Sequence, residues 1–222
     1  MGLTSRRFHR LVRYVGSPVP AFYDHLKTMS HIKSVCVYCG SSSGVADEIK
    51  EVATLVGKTL AQKGITTVYG GGHVGLMGMT ADAALQAGGE VVGIIPDHLQ
   101  RAEVQHQGLT ELLITDSMHT RKRLMVDRSD AFLILPGGLG TLDEMFEILT
   151  WRQLELHDKP VIMINWLGYW DKIIDAIDHA IEVGFVRPHH RDNLTIVDSV
   201  EAAMEALDTA SAPAFEDRTE DI

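Results

Sequence analysis

Short apolar runs alternate along this chain with longer segments in which apolar residues recur every three or four positions. The first pattern suits a strand buried on both faces, the second a helix with one face turned inward. Apolar runs over 33–38, 65–69, 90–95, 109–115, 131–135, 160–164 and 194–197 predict strands. Helical periodicity over 46–63, from Gly75 to about Ala87, over 117–128, from Thr141 to about Leu156, over 169–183 and over 199–207 predicts the helices between them. In the first helix Ile49, Val52, Ala53, Val56 and Leu60 share a face, and Gly64 caps it. Pro96 and Pro136 stop the third and fifth strands, and 97–108 reads as polar and irregular. Strands and helices alternating through nearly the whole chain predict an α/β fold, a doubly wound parallel sheet flanked by helices. In such sheets a ligand sits outside the carboxyl ends of the strands, where the strand order reverses.

Glycine-rich turns follow three of these strands: Cys39-Gly-Ser-Ser-Ser-Gly44, Gly70-Gly-Gly-His-Val-Gly75 and Pro136-Gly-Gly-Leu-Gly-Thr141. They should gather on one rim. Glycine lets backbone N–H groups approach an anion closely, and a helix N-terminus favours negative charge. After the last turn, Asp143 and Glu144 are expected in the first helical turn. There they either complement the helix dipole or act on something held by the amides. The spacing Gly70-x-Gly72-x-x-Gly75 meets the dinucleotide fingerprint. Against a dinucleotide, it follows the second strand rather than the first, and the acid at a suitable distance, Asp97, comes after Pro96. Glycines at either turn could also serve only tight helix–strand packing. A P-loop is excluded, because neither turn continues into Gly-Lys-Ser/Thr.

With 222 residues, 45% apolar and 23% charged, the chain can bury the core of one domain. A net charge of −10 disfavours a nucleic-acid partner. No run approaches the ~20 apolar residues that cross a bilayer, so no membrane partner is expected. Residues 1–31 carry Arg6, Arg7, Arg10 and Arg13 against Asp24 and lack an apolar h-region, so a basic extension is expected, flexible or a surface helix, and no secretory signal. A single domain over 32–208 and a disordered acidic tail over 209–222 complete the expected organisation. Cys36 and Cys39 stand three apart on a strand and so face opposite ways, with no second ligand pair at zinc spacing. Two inert, reduced cysteines suit a cytoplasmic protein.

The glycine turns and a downstream basic helix together resemble the LOG-type phosphoribohydrolases, a family also labelled "lysine decarboxylase-like". Its signature P-G-G-x-G-T-x-x-E is met by Pro136, Gly137, Gly138, Gly140, Thr141 and Glu144, and M-H-x-R-K by Met118, His119, Arg121 and Lys122. The stretch Gly70-Gly-Gly-x-x-Gly-Leu-Met-Gly78 and the pair Thr150-Trp151 also agree. The resemblance spans about residues 33–208. It implies a Rossmann-like fold and a homodimer with residues of both subunits near each site. The implied reaction removes the base from an N6-modified adenosine 5′-monophosphate, giving free cytokinin and ribose 5-phosphate, with no cofactor and no metal. Arg121 and Glu144 are implied as the catalytic pair. Glu103, Lys122, Gly138, Leu139, Gly140, Thr141, Leu142, Asp143 and Thr150 are implied as substrate contacts. Ser41, Gly71 and Gly72, on the other two glycine turns, join the expected substrate-binding set. The decarboxylase label fits poorly, since that chemistry normally needs pyridoxal phosphate on a lysine and neither glycine loop carries one.

Cleaving an N-glycosidic bond passes through an oxocarbenium-like sugar, which a nearby carboxylate stabilises or supplies with activated water. Glu144 suits that role, and Arg121 suits a bidentate grip on phosphate or the orientation of Glu144. His119 could protonate the departing base, although a lone histidine on a charged helix is more often solvated. Two other readings remain open at this stage. One is a nucleosidase for AMP or nucleoside monophosphates generally. The other is a carrier of a phosphorylated pterin-type cofactor, which needs the anion loops but not Glu144.

Overall fold

The computed structural model describes residues 31–100 and 105–210. The expectations for the basic extension through residue 30, for Glu103 and for the tail from residue 211 fall outside them. In chain order the elements are β1 (Ser34–Tyr38), α1 (Asp47–Gln62), β2 (Thr66–Tyr69), α2 (Gly75–Gln86), β3 (Val91–Pro96), β4 (Glu111–Thr115), α3 (Met118–Asp127), β5 (Ala131–Ile134), α4 (Leu139–Gln153), β6 (Val161–Ile164), α5 (Asp171–Glu182), β7 (Thr195–Val197) and α6 (Val200–Thr209). All neighbouring strands run parallel, in the order β4-β3-β2-β1-β5-β6-β7. The sheet grows outward from β1 to β4, then the chain returns and grows the other way from β5. The order therefore reverses between β1 and β5, where a doubly wound sheet opens a crevice.

Strands that bury both faces explain why their sequences are continuously apolar rather than alternating. Val35, Val37 and Cys39 join one core layer with Val52, Val56 and Leu60 of α1, Leu76 and Ala81 of α2, and Ala203 and Leu207 of α6. Cys36 and Tyr38 point the other way, to Met125 and Val126 of α3 and to Met145, Ile148 and Trp151 of α4. The β1–β5 pairing runs from Val35 opposite Ala131 to Tyr38 opposite Ile134. Asp130 fixes its lower end: Oδ2 accepts from the amides of Lys33 (2.7 Å) and Ser34 (2.9 Å) and from Ser34 Oγ (3.1 Å).

The α1 and α2 backbones touch at Gly57, where a Cβ would run into the Thr80 carbonyl oxygen. Between β3 and β4 a 3-10 turn covers Asp97–Leu99, and Gln105 makes an isolated antiparallel bridge to Gly72. Both cysteines are free and buried. Burial first, and the negative charge of Glu144 second, push the Cys36 and Cys39 thiols well above the ordinary thiol range. Among the described residues no helix is long and apolar enough to cross a membrane.

The Gly57 contact is backbone against backbone, so it cannot relax by a rotamer change. Gly57→Ala should destabilise the fold by about 1–3 kcal/mol, the usual cost of overpacking, despite alanine's better helix propensity. Urea denaturation measures this, and a variant as stable as the parent would contradict the contact. The native protein should also leave both thiols unreactive toward a disulfide reagent at neutral pH, with both titrating after unfolding.

Candidate active site

At the β1–β5 switch point two turns meet above the sheet. Gly40 N–H donates to the Pro136 carbonyl at 3.0 Å, and Leu135 N–H to the Tyr38 carbonyl at 2.9 Å. Gly137 is pinched between them: a Cβ there would strike Thr141 Oγ1 and stand 2.9 Å from Gly40 N. Tyr169, on the β6–α5 connection, donates its hydroxyl to the Gly137 carbonyl at 2.7 Å and so braces the turn from the side. The result is a cleft of about 250 Å³ lined by Gly40, Ser41, Gly138, Leu139, Gly140, Thr141, Asp143, Glu144 and Arg121, with Cys39, Met77, Leu99 and Met118 as its apolar lining.

Helix α4 begins two residues earlier than its periodicity predicts, at Leu139 with Gly138 as N-cap. Leu139 is 86% exposed, so no buried side chain announces the start. The first intrahelical bond runs from Leu142 N–H to the Gly138 carbonyl at 3.1 Å. The amides of Leu139, Gly140 and Thr141 therefore precede the helical ladder and stand at the positive end of the helix dipole. No acid lies in that first turn. Asp143 and Glu144 belong to the second turn, which corrects their expected placement and removes their role as simple dipole complements at the N-terminus. Glu144 stands about 7.5 Å along the helix axis from Leu139.

Arg121, on α3, is 4% exposed. Its Nε donates to the Ile94 carbonyl at 3.1 Å and its Nη2 to the Gly70 carbonyl at 3.2 Å, while Nη1 lies 3.7 Å from Met118 Sδ. A carbonyl just past β2 and one within β3 thus hold a cation at the cleft wall, where a buried charge needs such partners. A Cβ on Gly70 would collide with the Arg121 guanidinium. The second glycine turn consequently serves a different end from the third. Gly71 (φ +77°) packs against Ile95 and Ile94, Gly72 bridges Gln105, and neither lines the cleft.

Other expected residues are spread around this centre. Lys122 Nζ donates to Glu147 at 2.9 Å and Asp143 at 3.2 Å. Burial alone would lower its pKa, but those two carboxylates outweigh burial and raise it. Leu142 packs against the core beneath α4. His119 is exposed. Thr150 bonds back to the Phe146 carbonyl at 2.7 Å and lines a separate groove of about 260 Å³ between α4, α5 and the turn before β7, together with Phe146, Leu149 and Ile177. Gly40, Met77, Leu99, Met118 and Tyr169 have no expected site role from the sequence, although Gly40, Met77 and Met118 stand within its motifs. Gly40 was legible as the residue after a strand at a switch point, whereas methionines at helical spacing read as core. Outside the cleft, His73, Asp82 and His106, far apart in the chain, bring ligand-capable atoms within 4.8 Å of one another.

The family profile described as "Possible lysine decarboxylase" matches residues 77–207. A cytokinin riboside 5′-monophosphate phosphoribohydrolase of Rhodococcoides fascians is 41% identical over 191 residues, covering 86% of this chain and 96% of that protein. One of Arabidopsis thaliana is 40% identical over 179 residues, covering 81% and 84%. The Moco carrier protein of Chlamydomonas reinhardtii matches in structure with a TM-score of 0.59 at 20% identity, covering 78% of this chain and 94% of that one. At that identity the likeness concerns the fold alone. The relatives extend over the turn that builds the cleft, the helix that carries Arg121 and the helix that carries Glu144, and on that footing the chain belongs to the LOG-type, "lysine decarboxylase-like" family.

Proposed function

We propose that this chain hydrolyses the N-glycosidic bond of an N6-modified adenosine 5′-monophosphate, releasing the free base and ribose 5-phosphate. The observation that carries the reading is the convergence of Glu144, Arg121 and the Leu139–Thr141 amides on one cleft. The amides and the dipole of α4 suit a phosphate monoester. Glu144, further along the same helix, then lies on the sugar side. Its carboxylate stabilises positive charge growing on the anomeric carbon, or takes a proton from the water that attacks it. Water supplies the hydroxyl on the ribose and, through its proton, the hydrogen on the leaving base. Arg121, fixed by two backbone carbonyls, supplies preorganised positive charge that costs no rearrangement during the reaction. Met77, Leu99 and Met118 offer an apolar surface for the base. Decarboxylation of lysine is not supported, because no lysine is among the described residues lining the cleft.

We further infer a homodimer built on the outer face of α4. Phe146 is 44% exposed and Leu154 59%, and the apolar groove beside them includes Thr150, which lies about 9 Å along the helix from Glu144. A partner seated on this face reconciles the position of Thr150 with the substrate contact that the family resemblance implies for it. Two buried thiols are at home in a reducing compartment, which supports a cytoplasmic location.

Glu144→Gln and Arg121→Lys should each lower ribose 5-phosphate release on the order of 10²–10³-fold with an unchanged circular dichroism spectrum. If both stay within a few-fold of the parent, the assigned roles are wrong. Chromatography for free base after incubation with isopentenyl-AMP or AMP separates the substrate readings: cleavage of AMP alone would favour an AMP nucleosidase, equal cleavage of both a general one, and cleavage of neither would sink the hydrolase. Sedimentation should find a dimer that Phe146→Asp converts to monomer, and a monomeric parent protein would refute the proposed interface.

A further inference from the structure

Away from the cleft, three side chains that the proposed hydrolysis does not use come together from separate segments. His73 stands in the turn after β2, Asp82 on α2 and His106 on the stretch between β3 and β4. One ligand-capable atom from each lies within 4.8 Å of the other two. His106 Nε2 and Asp82 Oδ1 are 3.0 Å apart, and the rings of His73 and His106 meet edge to face with centroids 4.6 Å apart. His106 is buried and Asp82 half-exposed, while His73 faces solvent. The backbone holds the arrangement: His106 N–H donates to the Gly71 carbonyl at 3.1 Å, and Gln105 bridges Gly72. None of the three lines the cleft.

The geometry points to a zinc(II) site formed by His73, Asp82 and His106, with water in the remaining position on the exposed side. Two imidazoles and one carboxylate are a ligand set that zinc accepts in tetrahedral geometry, and three protein ligands leave one position open. The cation takes the place of the proton that now lies between His106 and Asp82. Gly108 N–H donates to His106 Nδ1 at 3.0 Å, so in the neutral ring the proton sits on Nε2, toward Asp82. On binding, that proton transfers through water to Nδ1 and the exposed Gly108 amide turns to solvent. The lone pairs of His106 Nε2, a His73 ring nitrogen and an Asp82 oxygen then bind the metal, and no net proton leaves His106. Zinc held in this way ties the segment from Gln105 to Gly108 onto α2 and onto the glycine turn whose Gly70 carbonyl holds Arg121. Because the three ligands meet only in the folded chain, binding adds to stability.

The test is calorimetric titration of the chelator-treated full chain with zinc chloride, paired with thermal unfolding at rising zinc. One equivalent should bind, and the melting temperature should rise with zinc concentration. His73→Ala and Asp82→Asn should each weaken binding by about tenfold or more, since even changes beyond the direct ligands commonly cost that much. Their melting temperatures without zinc should stay near the parent's. A His189→Ala/His190→Ala variant removes a second adjacent histidine pair, with centroids 4.1 Å apart, and should bind as the parent does. The proposal is overturned if the parent binds no zinc, if His73→Ala and Asp82→Asn leave the affinity unchanged, or if binding disappears with His189 and His190.

Discussion

The close meeting of the turns after β1 and β5 governs the rest of the site. Two parallel strands held in register by Asp130 at one end must release their chains at the other end at nearly the same height. Gly40 and Gly137 then come within contact of one another, and neither position tolerates a side chain without moving backbone. That crowding aims the start of α4 into the crevice rather than over it. A helix entering there brings three unladdered amides and, one turn on, a carboxylate that points to the same space. The exposed amides and the acid are thus a consequence of one backbone path, with the spacing between them set by helix rise.

Arg121 is the second constraint, and it explains a glycine turn that would otherwise look like a nucleotide loop. A guanidinium that is almost fully buried has to find acceptors, and the carbonyls of Gly70 and Ile94 provide them. Gly70 is small because the guanidinium occupies the space a side chain would need. Two glycine-rich turns therefore do different work: one leaves backbone donors facing the cleft, the other closes around a cation. Carrier proteins with this architecture show that the frame admits more than one use, so function has to be argued from the cleft residues and not from the sheet.

Lys122 illustrates how charge is partitioned around the cleft. It follows Arg121 on α3, yet its ammonium turns to Asp143 and Glu147 on the flank of α4. That clasp links α3 to α4. Neighbouring residues of one signature thus divide between a cation set into the wall and a strut between helices.

Among the described residues, periodicity with glycine and proline breaks determined the number and order of the strands and α-helices, because strands buried on both faces are continuously apolar and helices with one inward face repeat every three to four residues. The Pro136–Glu144 stretch was likewise legible, since its glycines and its acid lie close in the chain and their spacing survives folding. The start of α4 was not, because Leu139 is an exposed apolar residue and a helix N-cap without a side chain leaves no local mark. Only the tertiary structure decided that Gly70 makes room for Arg121, that Thr150 opens onto a different groove, and that His73, Asp82 and His106 share a corner. Each of these depends on contacts between segments far apart in the chain, and the crossover that brings them together is fixed by how whole strands pair, which no short window of sequence encodes.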